Sequence, residues 1–223
     1  PPPGPRRWRS YLWLAWHEHR RARAFAACGG IQANGYPAER HYGALNRNAM
    51  MYLDSRMGSR MLSTAKEHGA RAARRAEGRP IRLFHSGRLE PLKGAQDIAP
   101  FCRALAARGV SFTLDIYGRG SMELELRCAA EEFGGRIRLH GGVDFAKVLV
   151  PRSRAEGYIF VSFHRQSDPS CTYLEAMGCG LPIVGTSNRM LNARAERSGS
   201  PLTAPIGAVE TLPGHVVWLA SDP

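Results

Sequence analysis

From Ile81 onward, short apolar runs rich in β-branched and aromatic residues alternate with longer stretches of helical composition, and this alternation constrains the fold more than any other feature. The runs Ile81–Ser86, Phe112–Tyr117, Ile137–His140, Tyr158–Ser162 and Pro182–Gly185 predict strands. Between them Ala95–Arg108, Met122–Glu132, Phe145–Pro151 and Cys171–Cys179 predict helices, with a weaker one near Asn188–Arg197. Strands separated by helices of about ten residues imply crossover connections, and so a parallel, doubly wound α/β sheet. A last helix near Ala208–Ala220 is expected to pack on it.

Five strands suffice for one Rossmann-like domain, here residues 81–223. Residues 1–80 have a different character: a Trp/Arg-rich amphipathic stretch Trp8–Ala27, a short segment Gly29–Tyr36, and expected helices across Ala44–Met61 and Ser63–Ala76. One strand among helices cannot make a second sheet, so this part is read as a mainly helical remnant of another α/β domain, joined at Gly78-Arg79-Pro80. The opening Pro-Pro-Pro-Gly-Pro and the end at Pro223 suggest a fragment.

The chain has 43% hydrophobic and 22% charged residues without low-complexity runs, which excludes a wholly disordered or collagen-like polymer. Its formal charge of +12 is concentrated at one end: residues 1–80 carry fifteen basic and five acidic side chains. Such a field attracts anionic lipid, nucleic acid or phosphorylated substrates, and charge alone does not choose among them. The five cysteines lack zinc-site or disulfide-framework spacing, which fits a reducing cytoplasm. No apolar run approaches the roughly 18–20 residues that span a bilayer. His17-Glu18-His19 lacks the three- or four-residue spacing of helical ligands, so no metal is expected.

Ligands of open parallel sheets bind beyond the carboxyl ends of the strands. After the first strand, Ser86-Gly87-Arg88 leads to Lys93-Gly94, where two glycines admit close backbone approach and two cations suit a diphosphate. A solvated loop explains the same spacing equally well. Tyr117-Gly118-Arg119-Gly120 lacks the third glycine of a dinucleotide fingerprint, since Glu123 stands there, and this argues against NAD. After the fourth strand, Pro169 and Ser170 favour a helix start, so the amides of Ser170, Cys171 and Thr172 form an anion site. Glu175, one turn on, is placed to accept a pair of sugar hydroxyls, unless it is only an exposed helix residue. Cys171 reads as a packing residue rather than a nucleophile.

Gly87-Arg88 with Lys93-Gly94, the Tyr117–Gly120 loop, Leu139-His140-Gly141-Gly142-Val143, and the stretch from Leu174 to Gly185 occur in an order that resembles the C-terminal, nucleotide-sugar-binding half of family 4 glycosyltransferases of the GT-B fold. The resemblance covers about residues 81–223. It implies that Arg88 and Lys93 hold the donor diphosphate and stabilise the leaving nucleotide, that Glu175 grips the ribose as the second carboxylate of an E-x7-E motif, and that Gly142 and Val143 border the base. The first carboxylate of that motif belongs at position 167, where this chain has Ser167; Asp168 is adjacent and is the candidate replacement.

The implied activity is transfer of a hexosyl unit from a nucleoside-diphosphate sugar, with retention, to a sugar, lipid-linked or small-molecule acceptor, without a further cofactor, in the cytoplasm or peripherally at the inner membrane face. Gln32 and Asn34, before a glycine turn, resemble acceptor-side residues, although an Asn34-Gly35 turn accounts for them as well. Tyr52–Arg56 is expected on a helix, with Asp54 and Arg56 structural. The Trp8/Trp13/Trp16 stretch with its arginines suits either an anionic membrane or the outer face of a domain helix. Two other functions remain: a donor-binding subunit without turnover, prompted by Ser167, and a nucleic-acid-binding protein, prompted by the basic end but supported by no recognised motif.

Overall fold

The computed structural model describes residues 5–167, 171–199 and 202–221. The chain divides into two compact units, Pro1–Asp54 and Ser55–Pro223.

The first unit contains helix α1 (Pro5–Ala27), strand β1 (Ile31–Asn34), helix α2 (Tyr36–Tyr42) and strand β2 (Ala49–Tyr52). Asn46 closes the end of α1 by donating to the carbonyls of Phe25 and Cys28, both at 2.8 Å. Gly35, at φ 90°, makes the turn from β1 into α2, where Pro37 fits a first-turn position. Two sequence expectations are corrected here. Residues 44–61 are not a helix, and Tyr52–Arg56 lies on none: Ala49–Tyr52 pairs in parallel with Ile31–Asn34. Ala and Met favour helix locally, but the backbone groups of β1 need a partner, and a parallel two-stranded sheet supplies it. The first unit therefore does contain a sheet.

The second unit begins with a 3-10 turn at Ser59–Met61 and helix α3 (Ala65–Ala76). Thr64 and Glu67 form a reciprocal capping box at its start. There follow β3 (Ile81–Ser86), α4 (Ile98–Ala107), β4 (Phe112–Tyr117), α5 (Glu123–Glu131), β5 (Ile137–Gly141), α6 (Val150–Glu156), β6 (Ile159–Ser162), α7 (Cys171–Gly178), β7 (Ile183–Thr186), α8 (Arg189–Ser198), β8 (Thr203–Ala204) and α9 (Leu212–Ser221). All pairings are parallel and the strand order is β5-β4-β3-β6-β7-β8, the doubly wound arrangement expected. The sequence did not signal β8, whose two residues carry no period. A π-helical turn at Phe145–Leu149 precedes α6, which runs on to Glu156 rather than ending at Pro151. Pro151 is tolerated because it occupies the first turn.

One face of the sheet buries Leu83, Leu114, Ile116, Ile159 and Val161 against Phe101 and Leu105 of α4, Leu126 of α5 and Val216 of α9. The other packs Phe84, Tyr117 and Phe160 against Val150 of α6 and Ala176 of α7. Each large apolar side chain so buried contributes roughly 1.5–3 kcal/mol against exposure. This two-sided burial fixes where the strands end, and so where their loops converge.

Two glycines set how closely those loops approach. Gly94, at φ 74°, lies where a Cβ would overlap the carbonyl of Phe163, and a Cβ on Gly118 would overlap the carbonyl of Gly87. Gly94→Ala adds both backbone strain and that overlap, and is expected to lower stability by about 2–3 kcal/mol, read as a lower urea midpoint at unchanged slope. Glu67 yields a second expectation. Hydrogen bonds from Arg154 and from the Thr64 amide hold its carboxyl at about 2. A carboxyl depressed on folding stabilises the fold above its unfolded value, and that contribution disappears as pH falls. Stability should thus decline between pH about 4.5 and about 2, and Glu67→Gln should flatten this limb in acid titrations followed by circular dichroism.

Candidate functional site

The strand order reverses between β3 and β6, and the crevice outside their carboxyl ends is the ligand position that an open α/β sheet offers. The loop after β3 is fixed to the loop after β4 by backbone. Gly87 N–H donates to the Tyr117 carbonyl at 3.0 Å, Leu89 N–H to that of Arg119 at 2.9 Å, and Met122 N–H to that of Leu89 at 3.0 Å. Glu90 completes the link by accepting from the Ser121 amide at 3.0 Å and its hydroxyl at 2.6 Å. The segment after β6 is tied to the same crossover by Arg165, whose guanidinium forks on to Asp97 at 2.8 and 3.1 Å. A planar fork of this kind fixes direction as well as distance.

These ties frame a cleft of about 200 Å³. Gly87, Arg88, Gly118, Gly142, Val143 and Thr172, all singled out from the sequence, line it together. Arg56, Tyr117, Arg119 and Phe145 line it as well, so three guanidiniums share one cleft with three glycines. Arg119 lies along the backbone of Gly141 and Gly142, where bulkier residues would meet it. Tyr117 is stacked on His140 with ring centres 4.6 Å apart. His140 in turn bonds to the buried carboxylate of Asp115 at 2.6 Å. Burial alone would raise the Asp115 carboxyl, but the hydrogen bonds from His140 and Arg82 and the charge of Arg138 outweigh it and hold the group below its ordinary value. Behind Ser86, burial lowers the His85 imidazole, whose Nδ1 donates to the Val161 carbonyl at 2.9 Å.

Glu175 lies on α7 and is only 4% exposed. Its two oxygens accept from Arg56 Nε at 2.8 Å and Nη2 at 3.0 Å. The Arg56 guanidinium also sits 4.1 Å over the Phe145 ring. Glu175 borders a smaller cavity that shares Ser86, Phe145 and Leu149 with the cleft. Lys93 is buried in the 3-10 turn Pro91–Lys93 and is not among the residues lining the cleft. Cys171 is half-buried at the first residue of α7. Asp168 and Ser170 lie outside the described residues. Ser167, where a motif carboxylate was expected, accepts a hydrogen bond from the Arg189 amide at 3.2 Å and so helps start α8. On β1 of the first unit, Gln32 is exposed and Asn34 half-buried.

Sequence reading placed Arg56 among structural residues, whereas the structure puts it on the cleft wall beside Glu175. No spacing could have signalled this, because the residue belongs to no periodic segment and its carboxylate partner is 119 positions away.

The model of the family described as glycosyl transferases group 1 matches residues 80–222. A curated relative, the GtfA subunit of a UDP-N-acetylglucosamine–peptide N-acetylglucosaminyltransferase from Streptococcus gordonii, is 37% identical over 83 residues, covering 36% of this chain and 15% of that protein. The solved structure of TarM superposes with a TM-score of 0.67 at 12% identity, covering 92% of this chain and 39% of TarM. The Anabaena protein HepE, solved with UDP-glucose, gives 0.65 at 17% identity, covering 86% of this chain and 54% of HepE. A GtfA/B complex gives 0.57 at 19% identity, covering 91% of this chain and 44% of that one. The chain thus spans about half or less of each relative. These likenesses share the GT-B α/β fold.

The Arg165–Asp97 fork generates a direct test. Asp97→Asn removes the charge of a nearly buried carboxylate that is paired with a part-exposed guanidinium, and should cost about 1–3 kcal/mol of stability. It should also speed amide hydrogen exchange in 163–167, the segment the fork ties down.

Proposed function

The chain belongs to the glycosyl transferases group 1 family, and from that premise we propose that its second unit binds a nucleoside-diphosphate sugar in the cleft and contributes to transfer of the hexosyl unit, with retention, to an acceptor hydroxyl. The carrying observation is the convergence of Arg56, Arg88 and Arg119 with Gly87, Gly118 and Gly142 in one crevice at the switch point of the sheet. Cations among glycines let a diphosphate approach the backbone closely while its charge is matched.

On this reading Arg88 holds the diphosphate and stabilises the negative charge that develops on the leaving nucleotide, and Lys93, buried behind the lining of the cleft, shares that role only by turning into it; donors aimed at developing charge lower a barrier more than those matching the ground state. The amides at the start of α7, near Thr172, face the same anion, and Asp168, Ser170 and Cys171 are assigned to donor contact with them. Gly142 and Val143 border the base beside Tyr117. Glu175 accepts the ribose hydroxyls after Arg56 releases its oxygens. The donor-binding domain is residues 81–223, with Arg56 added to its cleft, and the acceptor-side part lies within residues 1–80, with Gln32 and Asn34 assigned to a sugar, lipid-linked or small-molecule acceptor. A cytoplasmic setting, with peripheral contact at the inner membrane face, fits a lipid-linked acceptor.

A second reading, a donor-binding subunit without turnover of its own, is favoured by one observation: the hydroxyl of Ser167 is engaged at the start of α8 where the motif carboxylate would stand. Transfer assays with a panel of UDP- and GDP-sugars on the whole protein separate the two, since any measurable product eliminates the second.

Calorimetric titration of the matching nucleotide sugar tests the site itself. Arg88→Ala and Glu175→Ala should each weaken binding about tenfold or more, near 1.4 kcal/mol, while Arg119→Ala should matter less. Unchanged affinity in the first two would remove the basis of the assignment.

A further inference from the structure

At the amino ends of β3, β4 and β6, the opposite end of the sheet from the donor cleft, lies a second cavity of about 280 Å³. Six guanidiniums line it: Arg71, Arg74, Arg75, Arg79, Arg82 and Arg138. The carboxylates set against them are fewer. Asp115 bridges Arg82 and Arg138 at 3.0 and 3.1 Å, Glu156 pairs with Arg82 at 2.7 Å, and Glu77 with Arg79 at 2.8 Å. Glu67, whose charge also reaches Arg71, is engaged by Arg154.

The remaining three guanidiniums bond neutral groups. Arg71 donates to the carbonyls of Cys179 and Gly180, Arg74 to that of Ala155, and Arg75 to that of Ala220. A carbonyl satisfies an N–H but does not cancel a charge. Among the described residues an excess of three positive charges is therefore concentrated around one concave wall, where low-dielectric surroundings strengthen its field.

Hydrogen-bond satisfaction also fails at this wall. Arg75 Nε, Arg82 Nε and Thr113 Oγ1, on three residues that line the cavity, are buried without a hydrogen-bond partner. Buried polar groups in proteins are nearly always bonded to protein, water or an ion. Three exceptions around one cavity, with uncancelled cationic charge beside them, describe a wall suited to the oxygens of an anion. A rotamer change at Arg75 or Arg82 turns its Nε–H on to such an oxygen. Six separated guanidiniums suit several anionic groups better than one, because each fork takes its own pair of oxygens.

We propose that this cavity binds a compact polyanion, a ligand carrying two or more phosphoryl or carboxylate groups, held between Arg74, Arg75 and Arg79 on one side and Arg82 and Arg138 on the other. The site is separate from the donor cleft, with which it shares no lining residue among the described residues.

Calorimetry with inorganic tripolyphosphate on the full chain, in the presence of saturating UDP, tests the proposal. Binding should persist with UDP present and in Arg88→Ala, and should weaken tenfold or more in Arg75→Glu and in Arg79→Glu. Arg79 is well exposed, so its reversal leaves the fold intact by circular dichroism even if the Arg75 variant is unstable. Affinity unchanged in the folded Arg79→Glu variant, or binding abolished by UDP or by Arg88→Ala, overturns the proposal. Flotation with phosphatidylglycerol vesicles then assigns the source of the phosphate. Retention lost in Arg79→Glu supports the site as one for a lipid headgroup, and retention unchanged while tripolyphosphate binding is lost supports it as one for a soluble ligand.

Discussion

Everything at the carboxyl end of the sheet depends on backbone meeting backbone. The loop after β3 lies against the loop after β4 at Gly87 and Gly118, and against the segment after β6 at Gly94 and Phe163, with no room for a Cβ at Gly118 or Gly94. That closeness draws the three strand ends into one cleft wall, and the hydrogen bonds of Gly87, Leu89 and Met122 lock it. Where Gly87, Gly118 and Gly142 form the wall, the main chain has no side-chain freedom to lose on binding. This is the form of pre-organisation that a multiply charged ligand rewards.

Charge is handled differently along the same sheet face. Asp115 lies beneath Tyr117 and takes bonds from Arg82, Arg138 and His140, so a buried carboxylate is matched on every side. A buried ion left unmatched costs several kcal/mol, which is why the cationic character of the amino end stops at this carboxylate instead of continuing into the core. The stack of His140 on Tyr117 then links the neutralised cluster to the wall of the cleft at the carboxyl end. The two cavities are thus joined across one sheet face by the hydrogen bonds of Asp115 and one ring stack.

How legible this was depended on where each element obtains its stability. Ile81–Ser86 and Phe112–Tyr117 were readable to the residue because buried apolar runs bounded by Gly and Ser specify a parallel strand locally. Ala49–Tyr52 was not, since its composition favours helix and only pairing with Ile31–Asn34 makes it a strand. The cleft glycines and Arg88 were legible as loops at strand ends. Arg56 was not, because its place beside Glu175 is a tertiary fact with no local pattern. The arginines of α3 counted in the sequence only toward the basic excess of residues 1–80, and the fold shows Arg71, Arg74 and Arg75 lining one cavity with Arg82 and Arg138 of neighbouring strands.

The Arg56–Glu175 pair bears on which ligands the proposed donor site accepts. Glu175 is buried, so its oxygens must remain satisfied whenever Arg56 leaves them, or the cost is that of a buried unpaired charge. Arg56 is the more exposed partner, with 57% of its side chain in solvent, and gives up little by turning toward water or toward a phosphate. Whatever replaces it has to present two donors at about the separation of the two guanidinium nitrogens. A vicinal diol does so and an isolated phosphate does not, because ionised phosphate oxygens only accept. In the donor site proposed above, such a carboxylate would discriminate for ribose and against bare diphosphate, with Arg56 keeping it satisfied until a nucleoside binds.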